Sequence, residues 1–276
     1  MRALDLVAEW PVPTVAAAVV RPDGDVAVAG PIDHSFRIAS ISKMLVGWAT
    51  LVAVEEGIVE LDTPVGQPGC TLRHLLAHAG GYAFDGTTPI AAPGSRRIYS
   101  NTGIELAAAL VAERAAMTFG GYLHDAVLEP LGMSRSQLHG SPAHGVHSTA
   151  ADLVSFVREL RTPRLISAES ALAFRTVQFP ELAGMVPGIG RFDPNPWGLG
   201  TEVRGDKQPH WTGSHNNPST FGHFGGAGTL LWVDMGASTA CIALTDRPFD
   251  DWSVDALIRW PALADAVLAE IAGDHR

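Results

Sequence analysis

Between Thr14 and Gly30 the chain is apolar almost without interruption, TVAAAVV and then VAVAG, on either side of Arg-Pro-Asp-Gly. Two such runs around turn residues predict an antiparallel hairpin. SFRIAS (35–40) continues as a short third extended segment. From Ser40 to Glu56 only Gly47 interrupts the helical pattern, and Met44, Leu45, Val46, Trp48, Leu51, Val52 and Val54 go nearly all the way round a helical wheel. A helix apolar on every side is a central, buried one, and Gly57 marks its stop. Asp62 to about Gln178 reads as helices separated by Pro/Gly loops, which predicts a helical lobe. Strand character returns in WGLGTEV (197–203) and in GTLLWVDMG and STACIALTD (228–246), the last two joined through Met235-Gly236-Ala237. PALADAVLAEIAG closes the chain as a helix. The pattern predicts an α/β (α+β) fold, with a sheet domain assembled from residues 1–61 and 186–276 and a helical domain, 62–185, inserted between them.

Composition narrows the function classes. Net charge is -10 and the arginines are scattered, so no basic stripe marks a nucleic-acid surface. Charge, proline or glycine breaks every apolar run short of the roughly 18–20 residues a membrane span needs. Asp5, Glu9, Pro11 and Pro13 spoil the opening run as a signal peptide, so a soluble cytoplasmic protein is expected, with Cys70 and Cys241 as reduced core residues. Of the 19 basic residues only Lys43 and Lys207 are lysine. Arginine keeps its proton whereas a shifted lysine can act as a base, so a site that needs that chemistry cannot accept the exchange.

Ser40-Ile41-Ser42-Lys43 opens the buried helix. Spacing of three puts a nucleophile and a base on one face, and the helix N-terminus favours the negative charge that develops on an attacked carbonyl. Taken alone, the pattern also fits a helix cap followed by an incidental lysine. Tyr99-Ser100-Asn101 lies between a Pro-Gly turn and the next helix, where a loop presents side chains to a cleft or merely caps the helix. Gly222-His223-Phe224-Gly225-Gly226 precedes a strand, and its glycines permit close backbone approach to a ligand. The Gly226 N–H is a candidate oxyanion donor beside that of Ser40. Cys70, His74 and His78 fall at spacings of four, but without His-Glu-x-x-His they are read as structural, His78 as a buried hydrogen-bonded residue behind the site, and no metal is expected.

In order along the chain, SFRIASISK, VELDTPV, TLRHLLAHAGG, PGSRRIYSNTGIEL, LEPLGM, HSTAADLVSFV, WGLG and GHFGGAGT resemble the β-lactamase-related serine hydrolases, a family of class C β-lactamases, penicillin-binding DD-peptidases, D-aminopeptidases and esterases. The resemblance runs from about Ser35 to Thr229. It implies an antiparallel sheet backed by helices, a mainly helical domain, and a site in the cleft between them. It implies Ser40 as nucleophile, Lys43 as its partner, Tyr99 as the catalytic tyrosine sharing the base role, and Asn101 as a hydrogen-bonding residue facing substrate. His223, with Gly225, stands where family β-lactamases usually carry the lysine of Lys-Thr-Gly. A largely neutral histidine is the weaker anion site, which favours a small ester or amide substrate over a β-lactam. A β-lactamase, a D-amino-acid peptidase or DD-carboxypeptidase, and a catalytically silent binding protein on the same scaffold are the alternatives. No cofactor is expected. Trp197 and Trp211 are read as buried aromatics.

Overall fold

In the computed structural model, residues 1–274 are described. The first apolar runs form β1 (Val15–Val20) and β2 (Val26–Ala29), antiparallel from Ala17↔Ala29 to Val20↔Val26. Further along come β3 (Phe36–Arg37), β4 (Gln137–Leu138) and β5 (Val146–Ser148), which make a small sheet in the order β3-β5-β4. A two-stranded hairpin, β6 (Gly184–Val186) and β7 (Gly190–Phe192), stands apart. The remaining strands are β8 (Glu202–Val203), β9 (Phe221–Gly225), β10 (Thr229–Asp234) and β11 (Thr239–Thr245). They join the first hairpin in a six-stranded sheet, β2-β1-β11-β10-β9-β8, with every pairing antiparallel.

The helices are α1 (Ser42–Glu55), α2 (Leu72–Leu76), α3 (Asn101–Ala115), α4 (Phe119–Leu123), α5 (Ala150–Arg161), α6 (Ala168–Arg175) and α7 (Ser253–Asp274). Alternate residues of the central strands enter two cores. Ala16, Ala18, Val20, Leu231, Val233, Ile242 and Leu244 join α1, α5 and the other helices of the middle of the chain. Ala17, Val19, Leu230, Trp232, Cys241 and Ala243 join α7 and the N-terminal 3-10 helix Arg2–Glu9. A sheet covered on both faces needs apolar residues at every strand position, hence the unbroken runs in the sequence. Helix α1 lies at the centre, and every residue from Ser42 to Ala53 is buried.

Two elements differ from expectation. Of WGLGTEV only Glu202–Val203 is strand, because Leu199 and Gly200 (φ +86°) form a turn moulded against α1. The last helix begins at Ser253 rather than Pro261, which lies inside it. Segments from the two expected domains also interlock: α5, from the middle of the chain, packs on β1 and β11, and β3 pairs with β5. Cys70 and Cys241 are both buried and unbridged. Among the described residues no helix is long and apolar enough to cross a membrane.

Candidate active site

Ser40 sits in a single 3-10 turn, Ala39–Ile41, that runs directly into α1. Ala39 before it adopts φ +46°, a left-handed conformation that a residue with a β-carbon holds only against strain. Strand β9 braces the turn from the side: a β-carbon on Gly225 would lie 2.5 Å from the Ile38 carbonyl oxygen and 3.1 Å from the Ala39 β-carbon. Gly225 is therefore needed for packing against the serine turn. Gly226 has open space around it and lines a cavity together with Ser40. The Gly225 carbonyl accepts from Gly228 N (2.9 Å), so the Gly226 N–H across the same trans peptide points away from that turn.

One helical turn on, Lys43 is completely buried. Its Nζ lies 3.2 Å from Ser40 Oγ, 2.8 Å from Asn101 Oδ1 and 2.8 Å from the Ala143 carbonyl oxygen. The Asn101 amide is fixed the right way round because its Nδ2 donates to Asp85 Oδ1 (3.1 Å). Burial brings the Lys43 amine down from its ordinary 10.5 to about 7, with the carboxylates of Glu105 and Asp85 pulling upward. The geometry then dictates where its lone pair goes. Asn101 Oδ1 and the Ala143 carbonyl can only accept, so they take the two N–H groups of the neutral amine and leave the lone pair facing the Ser40 hydroxyl.

Tyr99 reaches the serine from the segment leading into α3. Ser100 is the helix cap, with Oγ accepting from Gly103 N (3.0 Å). That frees the residues on either side of it. The Tyr99 hydroxyl is buried, and burial raises its pKa well above the ordinary 10, with the nearby Ser40 hydroxyl pulling the other way. The tyrosine hydroxyl lies 3.4 Å from His223 Nε2. His223 Nδ1 is 2.6 Å from the Phe224 carbonyl oxygen, which can only accept, so Nδ1 carries the proton and Nε2 is a lone-pair acceptor for the tyrosine. Burial, then the charge of Lys43, pushes His223 down to about 3, so it is neutral near neutral pH. Asn101, expected to meet substrate, has both ends of its amide engaged by Lys43 and Asp85.

His78 lies behind the site at φ +55°. Its carbonyl accepts from Ile98 N and its Nδ1 from Ser100 N, a clamp on both sides of Tyr99. His74 instead bonds Thr71 and stacks on Phe179, 4.5 Å between ring centroids. The cavity beside Ser40, about 180 Å³, is walled by Tyr99, Trp197, His223, Phe224 and Phe249 among others. Trp197 is thus both buried and a cavity wall, whereas Trp211 packs in the second core. Its charged lining residues are Glu202 and Asp250, with neither lysine nor arginine.

Glu202 is the residue that sequence reasoning overlooked. It is buried and ion-paired with Lys207 (Nζ to Oε1 2.7 Å), and it accepts from His210 Nε2 (3.1 Å) and Trp211 Nε1 (2.8 Å). Its signal was present in the composition: Lys207 is the only other lysine, and it too is buried.

The chain matches the β-lactamase family over residues 5–266, nearly its whole length, and belongs to that family. It is 49% identical to a β-lactamase from Mycobacterium bovis whose crystal structure superposes with a TM-score of 0.94, covering 98% of this chain and 99% of that one. A β-lactamase from Yersinia enterocolitica is 26% identical over an alignment that covers 60% of this chain and 58% of that relative. The fold is shared with EstCE1, a hydrolase with promiscuous acyltransferase activity, at 18% identity and a TM-score of 0.76 over 97% of both chains.

Proposed function

We propose that the protein is a serine hydrolase that cleaves a small ester or amide through an acyl-enzyme on Ser40. The observation that carries this reading is the buried Lys43 amine 3.2 Å from Ser40 Oγ, with two fixed acceptors for its N–H groups and with burial leaving it largely unprotonated, and so free to take a proton, just above neutral pH. In acylation, Ser40 Oγ attacks the carbonyl carbon and gives its proton to Lys43. The N–H groups of Ser40 and Gly226 hold the oxyanion. When the bond to the leaving group breaks, Tyr99 donates its proton to the departing oxygen or nitrogen, leaving a phenolate beside the Lys43 ammonium, which stands 4.9 Å from the tyrosine ring centre. In deacylation, water attacks the acyl carbon and gives a proton to Tyr99, and Lys43 returns a proton to Ser40 Oγ as it departs. Both residues regain their starting states, so protons balance over the cycle.

Esters and simple amides are favoured over β-lactams because nothing at the third motif supplies a cation. His223 is neutral and neither lysine nor arginine lines the cavity, so no cation there meets the carboxylate that β-lactams carry. The identity to the Mycobacterium bovis β-lactamase favours the other reading. Comparing kcat/KM on p-nitrophenyl butyrate and nitrocefin separates the two: the ester is expected to win, and a preference for nitrocefin would overturn the substrate class. Turnover of neither, with no labelling by a fluorophosphonate, would overturn the hydrolase itself.

A further inference from the structure

The cavity at Ser40 shares three lining residues, Phe84, Tyr99 and Pro187, with a second, larger groove of about 630 Å³ beside it. Arg97, Ile98 and Tyr99 line it, and Arg97 is tied to the start of β6 by the bond from its N to the Ala183 carbonyl (2.9 Å) and by the Arg97↔Gly184 bridge. Phe84, Ile90 and Met185 line it, 51%, 54% and 54% exposed. Large apolar side chains left in water singly need no explanation. Three of them lining one groove that shares its wall with a nucleophile's cavity do.

Resting on the hydrolase reading above, we propose that this groove receives the leaving-group half of the substrate, and that the substrate class is the ester of a short acid with a large apolar alcohol. The direction follows from the chemistry. The acyl carbon bonds to Ser40 Oγ, inside the smaller cavity, whose volume is close to the roughly 150 Å³ that holds a benzene molecule. The leaving oxygen must lie against its proton donor, Tyr99, and the Tyr99 ring is the wall shared by both spaces. Phe84 stacks on that ring, 5.8 Å between centroids at 27°, and extends the apolar surface outward from the point where the bond breaks. Arg96, Glu181, Arg191 and Asp193 also line the groove, so charged and apolar side chains share its wall. In the reaction the ester C–O bond is replaced by the Ser40 Oγ–C bond, and the alcohol leaves along the groove with the Tyr99 proton.

The test uses the full chain and the double variant Ile90→Ser/Met185→Ser, in which both changed side chains are more than half exposed. The ratio of kcat/KM for 2-naphthyl acetate to that for methyl acetate is expected to exceed one in the parent and to fall about tenfold in the variant, the loss of one large apolar contact. Direct binding of 2-naphthol to Ser40→Ala, followed by its fluorescence, is expected to weaken by a similar factor when the two groove substitutions are added. A ratio and a 2-naphthol affinity that the substitutions leave in place would overturn the groove assignment, even with esters hydrolysed. Groove-dependent 2-naphthol binding without hydrolysis of any ester would instead overturn the hydrolase reading and leave the groove as an apolar alcohol site.

Discussion

At the residue scale the site turns on two protons held in opposite ways. Burial makes Lys43 easy to deprotonate and Tyr99 hard to deprotonate. Pairs of titratable groups driven apart in this way divide base and acid work between them. The proposed mechanism needs Lys43 as the neutral amine, so kcat/KM on an ester is expected to rise with pH through about 7 and level off above it. The Glu105 charge holds the ammonium form in place, so Glu105→Gln should move the rising limb to lower pH. A limb that stays put, or moves up, would show that another group controls it. That Ser40 and Lys43 meet was legible from their spacing of three, whereas the place of Tyr99 beside them came only through the family resemblance. The Asn101 arrangement was not legible, since it depends on Asp85, sixteen residues away in the chain, and on the Ala143 carbonyl, and no spacing encodes those contacts.

At the scale of elements, α1 carries Lys43 and follows directly on the turn that holds Ser40, and its place is set by backbone contact with the Leu199–Gly200 turn. A β-carbon on Gly47 would strike the Leu199 carbonyl oxygen and come within 3.1 Å of the Phe174 ring. Gly47→Ala is expected to cost about 1–3 kcal/mol in urea denaturation, as overpacking does. Ester turnover should fall about 10²-fold as the turn or the helix shifts. Parental stability and turnover would show that the contact does not place α1. The all-round apolar character of this helix announced its burial, and the glycine inside it was visible as an exception. What Gly47 makes room for was not, because the turn lies some 150 residues downstream. The same turn explains why WGLGTEV is mostly not strand: its glycines serve contact with α1, and the apolar pattern of a strand and of a buried turn look alike in a short segment.

At the scale of the whole molecule, both lysines sit in the interior while the surface cations are arginines. Lys207 and its neighbours tie the pocket wall at Glu202 to the loop that precedes β9. Burial opposes the Glu202 charge, yet Lys207 and His210 hold its carboxyl far below the ordinary carboxylate range. The stability this adds is present above the unfolded carboxylate pKa and is lost only as pH falls through the depressed folded value. Lys207→Met strands a buried carboxylate and is expected to cost about 3–5 kcal/mol at neutral pH, with Glu202→Gln added to it recovering much of the loss. A loss below about 1 kcal/mol would mean that the pair contributes little. The sheet core was readable from unbroken apolar runs; this ion pair, formed across a loop, left only the rarity of lysine as a trace. The central claim, a covalent acyl group on Ser40, is tested most directly by intact-protein and peptide mass spectrometry after brief exposure to p-nitrophenyl butyrate. One butyryl group on the peptide containing Ser40 is expected in the parent, and none in Lys43→Arg. Turnover with no adduct on that peptide, or an adduct on another residue, would contradict the account.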